Sequence, residues 1–246
     1  MPEAHAHKPY QIGTRECKLI PVEIGNSKAL LLDTPGFDDT TRTDSDILSE
    51  IATVLAAQYE LGVQLKGIIF MQRITDIKMT GSSMKTLQIF KKIVGDAALR
   101  NVLLITSRWA GLDEGLGAAR ERQLREEFWA YMLAKGSTMS RFHGDRHSAI
   151  ALVAQILIQD NIVLDLQREL VDSGMRLNET AAGSFANDDL EALKVQLQQE
   201  IAELESFKRD FAGSDQFMRN QVQKDCNEKQ AWLQNAREQQ VRLEAP

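Results

Sequence analysis

Residues Ala29 to Asp39 read A-L-L-L-D-T-P-G-F-D-D. An apolar run ends at Asp33, and Gly36 follows three positions later. A buried strand ending on a carboxylate can hold a magnesium ion there, mostly through water, because magnesium keeps much of its hydration shell. Pro35 stiffens the turn, and a glycine at 36 lets a backbone amide approach a phosphate closely. Asp33, Thr34, Pro35 and Gly36 are therefore candidate magnesium- and nucleotide-contacting residues. The Gly36 amide would sense a terminal phosphate, and the segment would relax on its loss. The competing reading is an ordinary strand and turn, since Asp, Pro and Gly all form turns. The apolar strand, the Pro-Gly pair and the acids Asp38 and Asp39 behind it favour the switch. Its usual partner, a G-x-x-x-x-G-K-[ST] loop cradling the phosphates, does not occur in the 246 residues.

The surrounding pattern predicts how these residues are held. Lys18 to Ile24 alternates as a strand, Asn26-Ser27 turns it, and Ala29 to Leu32 returns, which makes a hairpin delivering Asp33. A helix follows, with Thr43, Asp44 or Ser45 as cap, Ile47, Leu48, Ile51, Val54 and Leu55 as its apolar stripe, and a stop near Gly62. Gly67 to Met71 reads as a strand buried on both faces. Ser82 or Ser83 opens a second helix ending before Gly95, and Val102 to Ile105 is another buried strand. A helix through Leu124, Phe128, Met132 and Leu133 runs to about Gly136, and 136–146 has room for a last strand. Ser148 opens a long helix through Leu152, Ile156, Val163, Leu166 and Leu170. Strands alternating with helices predict a three-layer α/β domain. Its sheet is mostly parallel and covered on both sides, with the antiparallel pair lying to one side.

Residues 1–172 form this domain, and 173–187, rich in Ser, Gly, Ala and Asn, read as a linker. Residues 188–246 read as helical, with heptad positions Leu190, Leu193, Leu197, Glu200, Leu204, Phe207 and Phe211 interrupted by Gly213-Ser214. Two readings stay open for this tail: a coiled coil that pairs with another chain, or a helix packing back on its own domain.

The string D-T-P-G-F-D-D-T, with D-S-D-I at Asp44 to Ile47, resembles the P-loop GTPases on the septin and immune-associated side, and most closely their fungal G-domain relatives. Lys66 to Met79 with Gly81-Ser82, Val102 to Trp109, and Glu179 to Gly183 resemble later segments of the same domain, so that the likeness covers roughly residues 10–185. The resemblance implies a P-loop GTPase-like fold lacking the first strand, phosphate loop and first helix, which would bind GTP with Mg2+, act as a nucleotide switch and hydrolyse GTP slowly. It implies that Thr14 occupies the switch I position, its hydroxyl completing the Mg2+ shell begun by Asp33. A plain strand-leading threonine is the alternative. The guanine-reading N-K-x-D is not matched. Thr106, Ser107, Arg108 and Trp109 stand at that strand end, and the nearest acid is Asp113. Thr106, Arg108 and Trp109 are the base-region candidates, and the preference for guanine comes from the resemblance alone. Phe37 stands where many small GTPases carry a water-orienting glutamine and cannot replace it. Asp38 or Asp39 could do that work, although helix-start charge explains them more simply.

The composition, 43% apolar and 26% charged, is that of a globular α/β protein, and a net charge of −6 disfavours nucleic-acid or anionic-membrane binding. Cys17 and Cys226 read as free thiols, there is no secretory signal or membrane span, and the cytoplasm is the expected location. His143 and His147 read as solvated loop residues rather than metal ligands, and His5 and His7 as inert; Arg73, Lys78 and Lys85 follow the Gly67 strand, where they could reach phosphates or a partner, and read more simply as surface charges that need no function. Two functional readings result. One is a GTP/GDP-binding switch, self-associating through the G domain or through 188–246. The other is a nucleotide-free interaction module of G-domain descent. A third possibility is an N-terminally incomplete reading of a GTPase gene.

Overall fold

The computed structural model describes residues 14, 16–37, 42–76, 79–210 and 216–244. Asp38, Asp39, His5, His7, Lys78 and Phe211 lie outside them.

The hairpin forms as expected. β1 (Lys18–Ile24) pairs antiparallel with β2 (Ser27–Asp33), from Lys18 opposite Asp33 to Ile24 opposite Ser27. It is a sheet of its own, separate from the parallel sheet made by β3 (Ile68–Arg73), β4 (Val102–Ser107) and β5 (Thr138–Arg141) in the order β3-β4-β5. Asp33 therefore ends a strand of the hairpin and not a strand of the parallel sheet.

β4 is central because it is apolar on both faces. Val102 and Leu104 enter the main core, while Leu103 and Ile105 enter a smaller core on the other side. All four are at most 2% exposed, and each such burial is worth about 1.5–3 kcal/mol. The main core is covered by α1 (Asp44–Glu60), α2 (Gly81–Val94) and the short α4 (Ala130–Ala134) with Trp129. α5 (Arg146–Leu157) covers the other face through Leu152 and Ile156. The domain is thus mixed α/β with helices on both sides of a three-stranded parallel sheet.

Thr43 caps α1, its hydroxyl accepting the Asp46 amide at 3.2 Å. α2 starts at Gly81, just before the expected Ser82 or Ser83, because Thr80 is the cap and accepts from Ser83 N at 3.1 Å. Between β4 and β5 lie α3 (Glu114–Gln123) and a π-helical turn, Leu124–Phe128, running into α4. The long helix expected from Ser148 through Leu170 is broken after Leu157. Asn101, 2% exposed, donates its amide to the carbonyls of Lys66 and Asp160, both at 2.7 Å. That ties the chain down where a helix would have continued, and Leu65 then bridges to Ile162. A turn of helix, α6 (Asp165–Gln167), continues as a π-helical turn over Arg168–Asp172.

The 173–187 stretch is only partly a linker. After a 3-10 turn at Leu177–Glu179, α7 (Ala181–Asp210) begins, with Thr180 accepting from the Gly183 amide at 3.0 Å. α8 (Gln216–Glu244) returns antiparallel to α7, as the pairs Lys194–Gln240 and Lys229–Glu200 show. Leu190, Ala236 and Leu243 join the same core as α1 and α2. The C-terminal helices therefore pack on their own domain, the second of the two readings left open for the tail. Among the described residues no helix is long and apolar enough to cross a membrane.

Candidate functional site

Thr14 and Asp33 meet. The Thr14 hydroxyl donates to Asp33 Oδ2 at 2.8 Å, across 19 residues of sequence. The hairpin accounts for this, because Lys18 pairs with Asp33 and carries the chain that precedes it back past the end of β2. Asp33, Thr34 and Gly36 are exposed and Pro35 is buried. Phe37 packs against the main core, so it anchors the turn instead of facing a ligand.

Gly36 stands in open space. A Cβ built there meets nothing within 4 Å, and its φ is not among the positive ones. Among the described residues, neither packing nor backbone conformation demands glycine at this position.

Behind the turn lies a polar cluster that the sequence did not reveal. Glu50 of α1 accepts from the Cys17 backbone amide and, at 2.6 Å, from Arg42. Arg42 also donates to the Asp46 carbonyl at 3.3 Å. The Cys17 amide bond, together with the Arg42 guanidinium, holds Glu50 below the usual carboxylate range against the effect of partial burial. Burial, followed by the charge and hydrogen bond of Glu50, pushes the Cys17 thiol up to about 11. A glutamate at this helix position has no local signature, since its partners come from the hairpin and from the loop before α1.

The expected base region is assembled but largely committed to internal contacts. Thr106 is fully buried, and its carbonyl and hydroxyl oxygens both accept from the Trp109 indole at 3.1 Å. Trp109 carries the Arg141 guanidinium 4.0 Å from its ring centre, and Arg141 forks onto Glu121. On α3, a Cβ at Gly117 would come within 2.8 Å of the same indole, so helix and ring meet only because that residue is glycine. Arg108 alone faces outward, exposed and with φ 65. Asp113, the nearest acid, caps α3 by accepting from the Leu116 amide at 2.8 Å.

The remaining candidates are used structurally. Lys85 lies between Asp44 at 2.8 Å and Asp189 at 2.7 Å. Arg73 pairs with Asp76 at 3.3 Å. The cleft beside it, lined in part by Gln72, Arg73 and Arg120, has a volume of about 30 Å³, room for roughly one water and far below a nucleotide site. His143 and His147 are both exposed, His147 lying in the first turn of α5. No cluster of three metal-binding side chains occurs among the described residues. Cys17 and Cys226 are free thiols.

No protein-family model matches the chain, and no curated protein matches it as a relative.

Proposed function

We propose that the chain is a GTP-binding G-domain protein in which Thr14, Asp33 and Gly36 form the magnesium and γ-phosphate half of a nucleotide site. The observation that carries this reading is the Thr14–Asp33 hydrogen bond, 2.8 Å long, at the mouth of a turn whose glycine is demanded by neither packing nor backbone conformation among the described residues. The donor set fits the metal in part. A carboxylate and a hydroxyl at one point offer two hard oxygen ligands, and Mg2+ takes the rest of its octahedron from water and phosphate. When bound, Mg2+ would neutralise phosphate charge. Asp33 would hold it through water, Thr14 would turn its hydroxyl oxygen from Asp33 toward it, and the open backbone at Gly36 would let its amide reach the γ-phosphate. Thr34 and Pro35 set the turn between them. Hydrolysis would be slow, because Phe37 is turned into the core and offers no group to orient a water.

A second reading, a nucleotide-free interaction module, is supported by a different observation. The hairpin bearing Asp33 does not join the parallel sheet, and Thr106 and Trp109 are engaged with each other. Titration with a fluorescent GTP analogue and Mg2+ separates the two. Micromolar binding lost in Asp33→Ala supports the first, and no binding up to millimolar nucleotide supports the second.

A further inference from the structure

The first two turns of α1 are attached at both ends of the molecule. On one side, Glu50 holds the Cys17 amide at the foot of β1, and Arg42 bridges Glu50 to the Asp46 carbonyl. On the other side, the Asp46 carboxylate receives Arg242 from the last turn of α8, and Asp44 reaches Asp189 of α7 through Lys85 of α2. Beneath these ion pairs the packing is apolar. Leu243 is fully buried in the core that contains Ile47, Leu48 and Ile51 of α1. The residue next to it, Arg242, is more than half exposed.

We propose that the last turn of α8 is a latch on α1, coupled through Asp46, Arg42 and Glu50 to the segment that carries Thr14 and Asp33. When Leu243 and Arg242 are docked, the start of α1 is fixed, and with it the Arg42–Glu50–Cys17 contacts that seat the hairpin. When the hairpin end or the turn after it shifts, α1 moves and the latch loosens. Asp46 is the shared element, because its backbone belongs to the hairpin side and its carboxylate to the tail side. Such coupling is reciprocal, so a disturbance at either end is felt at the other. The inference does not depend on nucleotide binding, and it stands or falls separately from the GTP reading.

Hydrogen–deuterium exchange on the full chain tests it, read by mass spectrometry in three places: the β1–β2 hairpin, β4, and residues 236–244. Arg242→Gln removes an exposed side chain and should leave folding intact. It is expected to speed exchange in the hairpin by roughly fivefold with β4 unchanged, and Glu50→Gln is expected to speed exchange in 236–244 by roughly fivefold beyond whatever acceleration its loss of overall stability gives β4. Lys85→Met, which removes the second attachment, should act in the same direction as Arg242→Gln. Exchange that changes only at the substituted end would overturn the proposal. Equal acceleration in β4 would also overturn it, since that is general loosening and not coupling.

Discussion

The Thr14 hydroxyl and the Asp33 carboxylate are hydrogen-bonded at 2.8 Å, at the open end of a two-stranded hairpin. Both groups are hard oxygen donors of the kind magnesium takes, and each supplies part of the other's polar contact. Because the pair is exposed, its own worth to the fold is small. Thr14→Ala is expected to change stability by less than about 0.5 kcal/mol in urea unfolding. A loss above about 1.5 kcal/mol would mark the pair as structural and weaken the case for a ligand.

Gly36 leads to a sharper expectation. With open space where a Cβ would sit and no left-handed φ, Gly36→Ala should be tolerated and stabilise the chain by about 0.4–1 kcal/mol through the unfolded state. The same change should weaken nucleotide binding if the Gly36 amide meets a phosphate. A destabilised variant would mean that the chain itself requires the glycine.

Gly183 is the opposite case. A Cβ there would lie 1.8 Å from the Leu177 carbonyl oxygen, and backbone cannot yield as a side chain can. Gly183→Ala is expected to cost more than about 2 kcal/mol by thermal or urea unfolding, and Thr180→Ala, which removes the cap, about 1 kcal/mol. A neutral Gly183→Ala would show that the start of α7 is not packed against Leu177.

The Cys17 thiol, raised to about 11 by burial and by Glu50, should be a poor nucleophile. At pH 8 its thiolate fraction is on the order of 100-fold below that of an ordinary cysteine, and alkylation by iodoacetamide, followed by peptide mass spectrometry, should be slower by roughly tenfold or more, the greater basicity of the thiolate offsetting part of the loss. Glu50→Gln removes the neighbouring charge and should restore part of the rate.

Glu50 and Asp46 predict the acid limb of stability. Glu50 is held low by the Cys17 amide and Arg42, and in Asp46 hydrogen bonds from Arg242 and Thr43 outweigh the upward push of burial. Folded-state values below the unfolded ones mean that this stability is fully present above the ordinary carboxylate range. It is lost as pH falls through the lowered folded values, from about pH 5 downward. Urea midpoints measured from pH 7 to pH 3 should fall, and Glu50→Gln should flatten that fall while costing about 1 kcal/mol at pH 7. An unchanged slope in Glu50→Gln would contradict this assignment.

Much of the fold was legible because it is local. The alternation in Lys18–Ile24, the apolar runs of β3 and β4, and Thr43 before the α1 stripe each declare themselves within a few residues. What was hidden depends on distant partners. Nothing near Leu157 says that a helix stops there, since Asn101 stops it from more than fifty residues away. The small residues of 181–187 look like a linker, yet Ala182 and Ala186 are small because they are buried, at 0% and 2% exposure. In the tail, Leu190 and Leu197 are buried while Leu193 stays 41% and Phe207 37% exposed, so only part of the apparent heptad faces the chain's own core. The D-T-P-G turn was readable as a turn after a strand, and the meeting of Asp33 with Thr14 was expected from the resemblance alone. Its isolation from the parallel sheet could not be read, because strand neighbours are set by what packs between them.

Asp33 and its neighbours are proposed to hold a magnesium-bound guanine nucleotide. The direct measurement is the affinity of the full chain for a fluorescent GTP analogue, with and without Mg2+, beside Asp33→Ala. A micromolar Kd that requires Mg2+, is lost in Asp33→Ala and is competed by GTP but not ATP is the predicted result. No saturable binding up to millimolar nucleotide, or binding indifferent to both Mg2+ and Asp33, would contradict it.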